Sequence, residues 1–178
     1  MKIKHILLPT SLFILSSCVT LIDYPPTWPS SINELGQQCE LIAGTYLNRG
    51  ETQDGQTTYL SDWLFDTNIE FREFQYLSLA FDENNQMVVN GSTTSMPAPI
   101  QLPIFENNEC RNNYLSINLQ SFENSVNAVS LGSSKRHLYK TDNHLIIESS
   151  EGGVGVVLLI PVVAYANNWA RFSMLQQK

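Results

Sequence analysis

Much of the chain beyond residue 40 alternates apolar and polar residues with a period of two, which is typical of β-strands. The clearest example is Leu77, Leu79 and Phe81, which would share one apolar strand face. Turn-forming residues occupy 82–85, and the apolar segment 87–90 follows them. The pattern therefore predicts a β-hairpin.

Similar alternation recurs toward the C-terminus, where Asp142-Asn143 predicts the turn of a second hairpin. Further strands are predicted over 39–48, 115–119, 128–131, 137–140, 144–149 and 169–175. Segment 95–103 contains three prolines, so we expect a loop or an edge strand there. Seven to nine short strands in all favour an antiparallel β-barrel or sandwich.

Val154–Ala166 is the longest apolar run of the folded body, and Pro161 lies inside it. Thirteen residues are too few for a transmembrane helix, which needs about 20. We therefore predict a buried strand that is bulged at the proline.

Helix signals are few. Segment 59–65 predicts a short helix capped by Ser61, with Leu60, Trp63 and Leu64 turned inward. Ser31-Ile32-Asn33-Glu34 has the pattern of a capping box and predicts a single turn. The expected fold is mainly β with one or two short helices.

The first eighteen residues have the layout of an export signal. Lys2 and Lys4 form a basic start, and Ile6–Leu15 is an apolar segment too short to span a bilayer. The segment ends in Leu15-Ser16-Ser17-Cys18, small residues that lead into a cysteine.

This ending resembles the lipobox of bacterial lipoproteins. The resemblance implies diacylglycerol attachment to Cys18, cleavage before it and acylation of the new amine, with palmitate among the acyl chains. Val19 follows where an inner-membrane lipoprotein would carry Asp, which implies the outer membrane. An ordinary secretory signal with a chance cysteine is the alternative.

Composition and charge limit the partners. The chain has 10 Lys plus Arg against 17 Asp plus Glu, so nucleic acid is not expected as a partner. Loss of residues 1–17, which carry two Lys and no acid, leaves a net charge of −9. We predict residues 1–17 as the signal peptide, 18–36 as the lipidated cysteine with an extended proline-containing tether, and 37–178 as one β-rich domain.

Export gives a role to the two remaining cysteines. Cys39 and Cys110 would lie in the oxidising periplasm, where thiols pair. Neither lies in a metal-binding spacing. We predict a structural disulfide, whose loop-closure contribution is about 4 kcal/mol.

Catalytic and metal-binding signals are weak. His137 and His144 are the histidines of the folded body, and the predicted hairpin separates them by about 13 Å on a solvated ribbon. The glycine-rich segment 151–155 lacks the Lys-Ser/Thr of a phosphate loop, so a turn or bulge is expected there. We expect no cofactor, no metal and no catalytic residues, although a Ser-His-Asp triad assembled from distant residues stays open.

Gly44-Thr45-Tyr46 near the first strand and Arg171 on the last are similar to the calycin pattern of lipocalins and avidins. That resemblance implies a barrel closed at one end by Tyr46 stacking on Arg171, with an interior for a small ligand. The spacing of Cys39, Gly44-Thr45-Tyr46 and the late Trp169 also resembles uncharacterised proteobacterial lipoproteins, which implies no activity.

Three functions follow. The leading one is a non-catalytic lipoprotein, anchored in the outer membrane, that acts by protein interaction or envelope structure. The second is a calycin-like carrier of a small apolar ligand. The third is a periplasmic hydrolase.

Overall fold

The computed structural model describes residues 17–28, 39–65, 69–96, 98–103, 105, 108–111, 114–125, 128–157 and 160–175. The predicted signal peptide up to residue 16 and the predicted capping box at 31–34 lie outside these ranges. Among the described residues, no helix is long and apolar enough to cross a membrane.

Twelve strands, one α-helix and two 3₁₀ helices make up the described chain. The strands are β1 (Ser17–Thr20), β2 (Gly44–Leu47), β3 (Arg49–Thr52), β4 (Thr57–Tyr59), β5 (Tyr76–Phe81), β6 (Met87–Ser92), β7 (Ile100–Gln101), β8 (Asn108–Cys110), β9 (Leu115–Ser125), β10 (Ala128–Lys140), β11 (His144–Val157) and β12 (Ile160–Ser173). Helix α1 spans Leu60–Phe65, and the 3₁₀ helices span Cys39–Ile42 and Ile69–Glu73.

The strands form two sheets. The large sheet has the order β4-β3-β12-β11-β10-β9-β8, with β1 pairing in parallel to β12, and the small sheet has the order β2-β5-β6-β7. Every other strand pair is antiparallel. Within the described residues the strands form two separate sheets and no closed barrel. The predicted sandwich is therefore confirmed, and the alternative of a barrel, including a calycin-like barrel, is wrong.

The main core lies between the sheets. Tyr46, Leu77 and Leu79 of the small sheet belong to one buried cluster with Leu138 and Phe172 of the large sheet. Both predicted hairpins are present: β5 and β6 join at the Asp82 turn, and β10 and β11 join through the Asp142-Asn143 turn. Of the predicted inward residues, Leu77 and Leu79 of β5 and Leu60 and Leu64 of α1 are buried, and Phe81 and Trp63 are partly buried against the same core.

Three local predictions were wrong. Residues 39–42 form a 3₁₀ helix, so the first strand of the domain begins at Gly44. The run 154–166 is divided between the end of β11 and the start of β12, with Pro161 near the strand end, where a missing N–H is tolerated. Segment 151–155 is neither a turn nor a bulge, because it pairs continuously with both neighbouring strands.

The N-terminus of α1 is capped by a residue from outside the helix. Ser61 lies within the first turn, and its amide donates to Oδ1 of Asn48 at 2.9 Å. The Asn48 amide group donates to the carbonyls of Phe71 and Phe74 at 3.0 and 2.9 Å. Asn48, 1% exposed, therefore joins the β2-β3 junction, α1 and the second 3₁₀ helix.

Candidate functional site

The N-terminal segment that carries the predicted lipidation site is part of the folded structure. β1 pairs in parallel with β12, and Cys18 is the register partner of Ala164. Adjacent strands lie about 4.8 Å apart. The backbone of Cys18 is therefore fixed beside the half of the β11-β12 hairpin that is nearest its turn. We call this half, residues 152–157 and 160–165, the outer half of the hairpin.

Residues 21–22 follow β1, and two side chains of β12 hold Ile22. The amide group of Asn167 donates to the Ile22 carbonyl at 3.0 Å, and its oxygen accepts from the Ile22 N–H. The indole of Trp169 donates to the same carbonyl at 2.9 Å. An asparagine that pairs with both backbone groups of one residue mimics a neighbouring strand.

Aromatic packing completes the attachment. Tyr24 contacts Trp28 and Trp169 edge to face, with ring centroids 6.1 and 5.2 Å apart. The Arg171 guanidinium lies over the Trp28 ring at 5.1 Å. The backbone N–H of Trp28 donates to the Pro25 carbonyl at 3.1 Å. Trp28 is 6% exposed. Residues 22–28, predicted as an extended tether, are therefore bound to the outer face of the large sheet.

Beside the docked segment, an imidazole and a carboxylate form a half-buried pair on the same outer face. His137 Nδ1 lies 3.2 Å from a carboxylate oxygen of Glu148, and the Tyr139 hydroxyl donates to the same oxygen at 3.0 Å. The His137 ring packs on Tyr114, with centroids 4.4 Å apart. Hydrogen bonding from His137 is the largest of the effects that lower the pKa of Glu148, and bonds from Tyr139 and Asn167 add to it against the cost of burial.

This cluster changes the interpretation of the histidines. The predicted turn register is confirmed, because Thr141 pairs with His144 and so His137 and His144 are four residues apart along the ribbon. The prediction of two solvated histidines was wrong for His137, which is 21% exposed and packed. Burial lowers the pKa of His144, and the charge of Arg171 lowers it further.

A polar cavity of about 420 Å³ lies on the other face of the large sheet, between β10-β11 and α1. Buried Arg136 lies at its base, where Nε donates to the Trp63 carbonyl at 3.2 Å and the guanidinium pairs with Glu151 at 3.3 Å. Arg136 also donates to Ser134 and Ser149. Nothing in the sequence indicated that Arg136 is buried beside the inward-facing Ser134 and Ser149, because the segment Ser133-Ser134-Lys135-Arg136 matches no catalytic motif.

The predicted Tyr46–Arg171 pair is not assembled. Tyr46 lies in the core between the sheets, where its hydroxyl donates to the Ile42 carbonyl at 2.6 Å. Arg171 pairs with Glu51 and stacks on Trp28 on the outer face. Successive strand residues point to opposite faces, so Ala170 and Phe172 of β12 share the core cluster with Tyr46 while Arg171 points away from it.

The Cys39–Cys110 disulfide stays a prediction. Cys110 is partly buried against the main core at the end of β8, and the 3₁₀ helix that begins at Cys39 packs against β10, two strands away in the same sheet. The side chain of Cys39 is outside the described atoms. Maleimide labelling of the denatured protein before and after reduction tests the pairing.

No protein-family model, curated protein or solved structure matches this chain. Within the described ranges, no group of three or more His, Cys, Asp or Glu side chains is arranged to hold a metal ion.

Proposed function

We propose that the protein is a lipid-anchored lipoprotein of the outer membrane that acts by protein interaction or as a structural part of the envelope, without catalysis. The observation that supports this most directly is the docking of the chain that follows Cys18. A simple tether would leave the domain free of its anchor. Here Ile22 is held by Asn167 and Trp169 within four residues of the predicted lipid attachment site.

Packing between the sheets favours this function over a ligand carrier. A carrier needs an apolar cavity of several hundred cubic ångströms. In the described chain, the space between the sheets holds large side chains that are fully buried, including Tyr46, Leu60 and Phe172. Apart from Trp63, the residues that line the cavity at Arg136 are polar or charged, which favours a polar over an apolar ligand.

The placement of His137 and Ser149 bears on the hydrolase alternative. His137 lies on the outer face of the large sheet with Glu148, and Ser149 lies on the inner face with Arg136 and Glu151. A nucleophile and its base must lie within hydrogen-bond reach. The sheet separates these two, which argues against Ser149 as a nucleophile activated by His137.

Metabolic labelling tests the anchor. Cells supplied with labelled palmitate should label the wild-type protein and retain it in the outer-membrane fraction, whereas Cys18→Ser should be unlabelled. Cys110→Ser, analysed under reducing conditions, serves as the matched control because it removes a different thiol. An unlabelled, soluble wild-type protein would refute the proposal.

The non-catalytic part is tested separately. Replacing both His137 and His144 by Gln should leave the activity of the anchored protein in a deletion-complementation assay unchanged. Loss of complementation by a folded, correctly anchored double variant would favour the hydrolase.

A further inference from the structure

The outer half of the β11-β12 hairpin presents an apolar surface. Val154 and Val156 of β11 and Val163 and Tyr165 of β12 are 56%, 44%, 45% and 39% exposed, and we call these four residues the distal patch. The register pairs Val154 with Val163 and Gly152 with Tyr165, so all four side chains lie on the outer face of the sheet.

The surface has a defined shape. A shallow hollow of about 510 Å³ lies over Gly152 and Gly153 between Val154, Val163 and Tyr165. A Cβ at Gly152 would be 3.2 Å from the Tyr165 ring, so the glycine lets the ring lie close to the strand. Among the described residues that line the hollow, none is charged.

The predicted lipid attachment site lies at the same place. Cys18 is the backbone partner of Ala164, the residue between Val163 and Tyr165. Leu21, at the end of the same paired segment, is 66% exposed. Of the seven large hydrophobic residues exposed in the described chain, five are Leu21 and the distal patch, and Val163 and Tyr165 are on the strand to which Cys18 pairs.

We propose that the distal patch and Leu21 contact the lipid bilayer, so that the domain is seated on the membrane through the outer half of its β11-β12 hairpin. This proposal rests on the lipid anchor of the proposed function. Acyl chains on Cys18 would enter the bilayer at this end of the domain, because β1 keeps the Cys18 backbone paired to β12, the strand that carries Val163 and Tyr165.

The chemistry of the patch suits the boundary between headgroups and acyl chains. Valine and leucine side chains gain from leaving water, and tyrosine is enriched at this depth because its ring is apolar and its hydroxyl polar. Lys135 is exposed on the same outer face, two residues from Ser133 at the edge of the hollow, where it can reach lipid phosphates. The mature chain carries a net charge of −9, so apolar contact rather than charge would seat the domain.

Fluorescence quenching by brominated lipids tests the contact. The acylated full-length protein carrying Val154→Trp is reconstituted in phosphatidylethanolamine vesicles with brominated acyl chains, and the wild-type signal is subtracted. The control is Ile100→Trp, at an exposed residue of the small sheet. We expect the added tryptophan to be quenched several-fold more strongly at residue 154 than at residue 100. Equal quenching would overturn the proposal.

A second measurement uses residues 18–178 with Cys18→Ser, a chain that has neither acyl chains nor the apolar signal segment 6–15. Cys18→Ser protein should bind phosphatidylethanolamine vesicles weakly, and adding Val154→Asp and Val163→Asp should lower the partition coefficient by about tenfold or more, because burying one valine is comparable to a decade in a partition coefficient. Unchanged far-ultraviolet circular dichroism would show that the variant is folded. An unchanged partition coefficient would overturn the proposal.

The two proposals fail in distinguishable ways. Absence of palmitate label on the wild type would overturn both the anchor and the seating. A labelled, membrane-bound protein whose Val154→Trp variant is quenched no more than the control would overturn the seating alone. Cross-linking of two chains through the patch in the vesicles, without quenching, would show that a second copy covers it and would also overturn the seating.

Discussion

The two faces of the large sheet are built from the same strands but bury different chemistry. On the inner face, Leu138, Ile147 and Phe172 pack against the small sheet in an apolar core. On the outer face, Tyr139 and Trp169 pack beside charged and hydrogen-bonded groups and against the docked N-terminal segment. The inner face therefore joins the two sheets, and the outer face joins the domain to its N-terminus.

The difference predicts different responses to substitution. Loss of an inner side chain should lower the stability of the whole domain, because the buried cluster extends across both sheets. Loss of an outer contact should first release residues 21–28, because that segment is held mainly by Asn167, Trp169 and Arg171. Substitutions on each face test this distinction.

The largest expected effect is on the inner face, at fully buried Phe172. Phe172→Ala should lower the free energy of unfolding by about 3–5 kcal/mol, from lost apolar contact and the cavity left behind. Phe172→Leu should cost about half as much or less. Urea unfolding followed by circular dichroism measures both. A loss below about 1 kcal/mol for Phe172→Ala would show that this face does not join the sheets.

The next largest effect is expected at Asn48, the polar connection within the core. Asn48→Ala leaves the Ser61 amide and the carbonyls of Phe71 and Phe74 without this partner, and we expect a loss of about 2–4 kcal/mol in the free energy of unfolding. The exposed turn residue Asn84 gives a matched control, and Asn84→Ala should cost about 0.5 kcal/mol or less. Similar losses for both variants would contradict the capping role.

A smaller and local effect is expected on the outer face. Trp28→Ala removes the ring that contacts Tyr24 and Arg171, so the N-terminal segment should become sensitive to protease while the domain stays folded. Trp169→Phe keeps a ring but removes the indole donor to Ile22, and it should cost about 1 kcal/mol. Limited proteolysis with mass spectrometry locates the cleavage. Cleavage of the domain before residues 21–28 would contradict the assignment.

The smallest effect is expected from pH, again on the outer face. Because the pKa of Glu148 is lowered in the folded protein, its contribution is present above its ordinary value near 4.5 and is lost as pH falls through the lowered folded pKa. Glu148→Gln should therefore flatten the acid limb of the stability curve. Glu83→Gln, at an exposed turn, is the control for net charge. Identical acid limbs for the wild type and Glu148→Gln would refute the prediction.

Much of the core between the sheets followed from the sequence, and little of the outer face of the large sheet did. The inward positions of Leu77, Leu79, Leu60 and Leu64 were predicted because an apolar residue at every second strand position, or on one side of a helical turn, specifies a buried face without further information. The predicted cap of α1, Ser61, was wrong, because the acceptor at this helix end is Oδ1 of Asn48, which precedes the helix by twelve residues.

Period-two alternation in the sequence determined the mainly β class, both hairpins and the turn register between Thr141 and His144, since each depends on residues close together along the chain. The tertiary structure decided between barrel and sandwich, because closure depends on which distant strands pair. It also stacked Arg171 on the Trp28 ring and not on the Tyr46 ring. In addition, it bound residues 22–28 to side chains of β12. Those contacts join residues more than a hundred positions apart, and hydrophobic periodicity contains no information about such pairs.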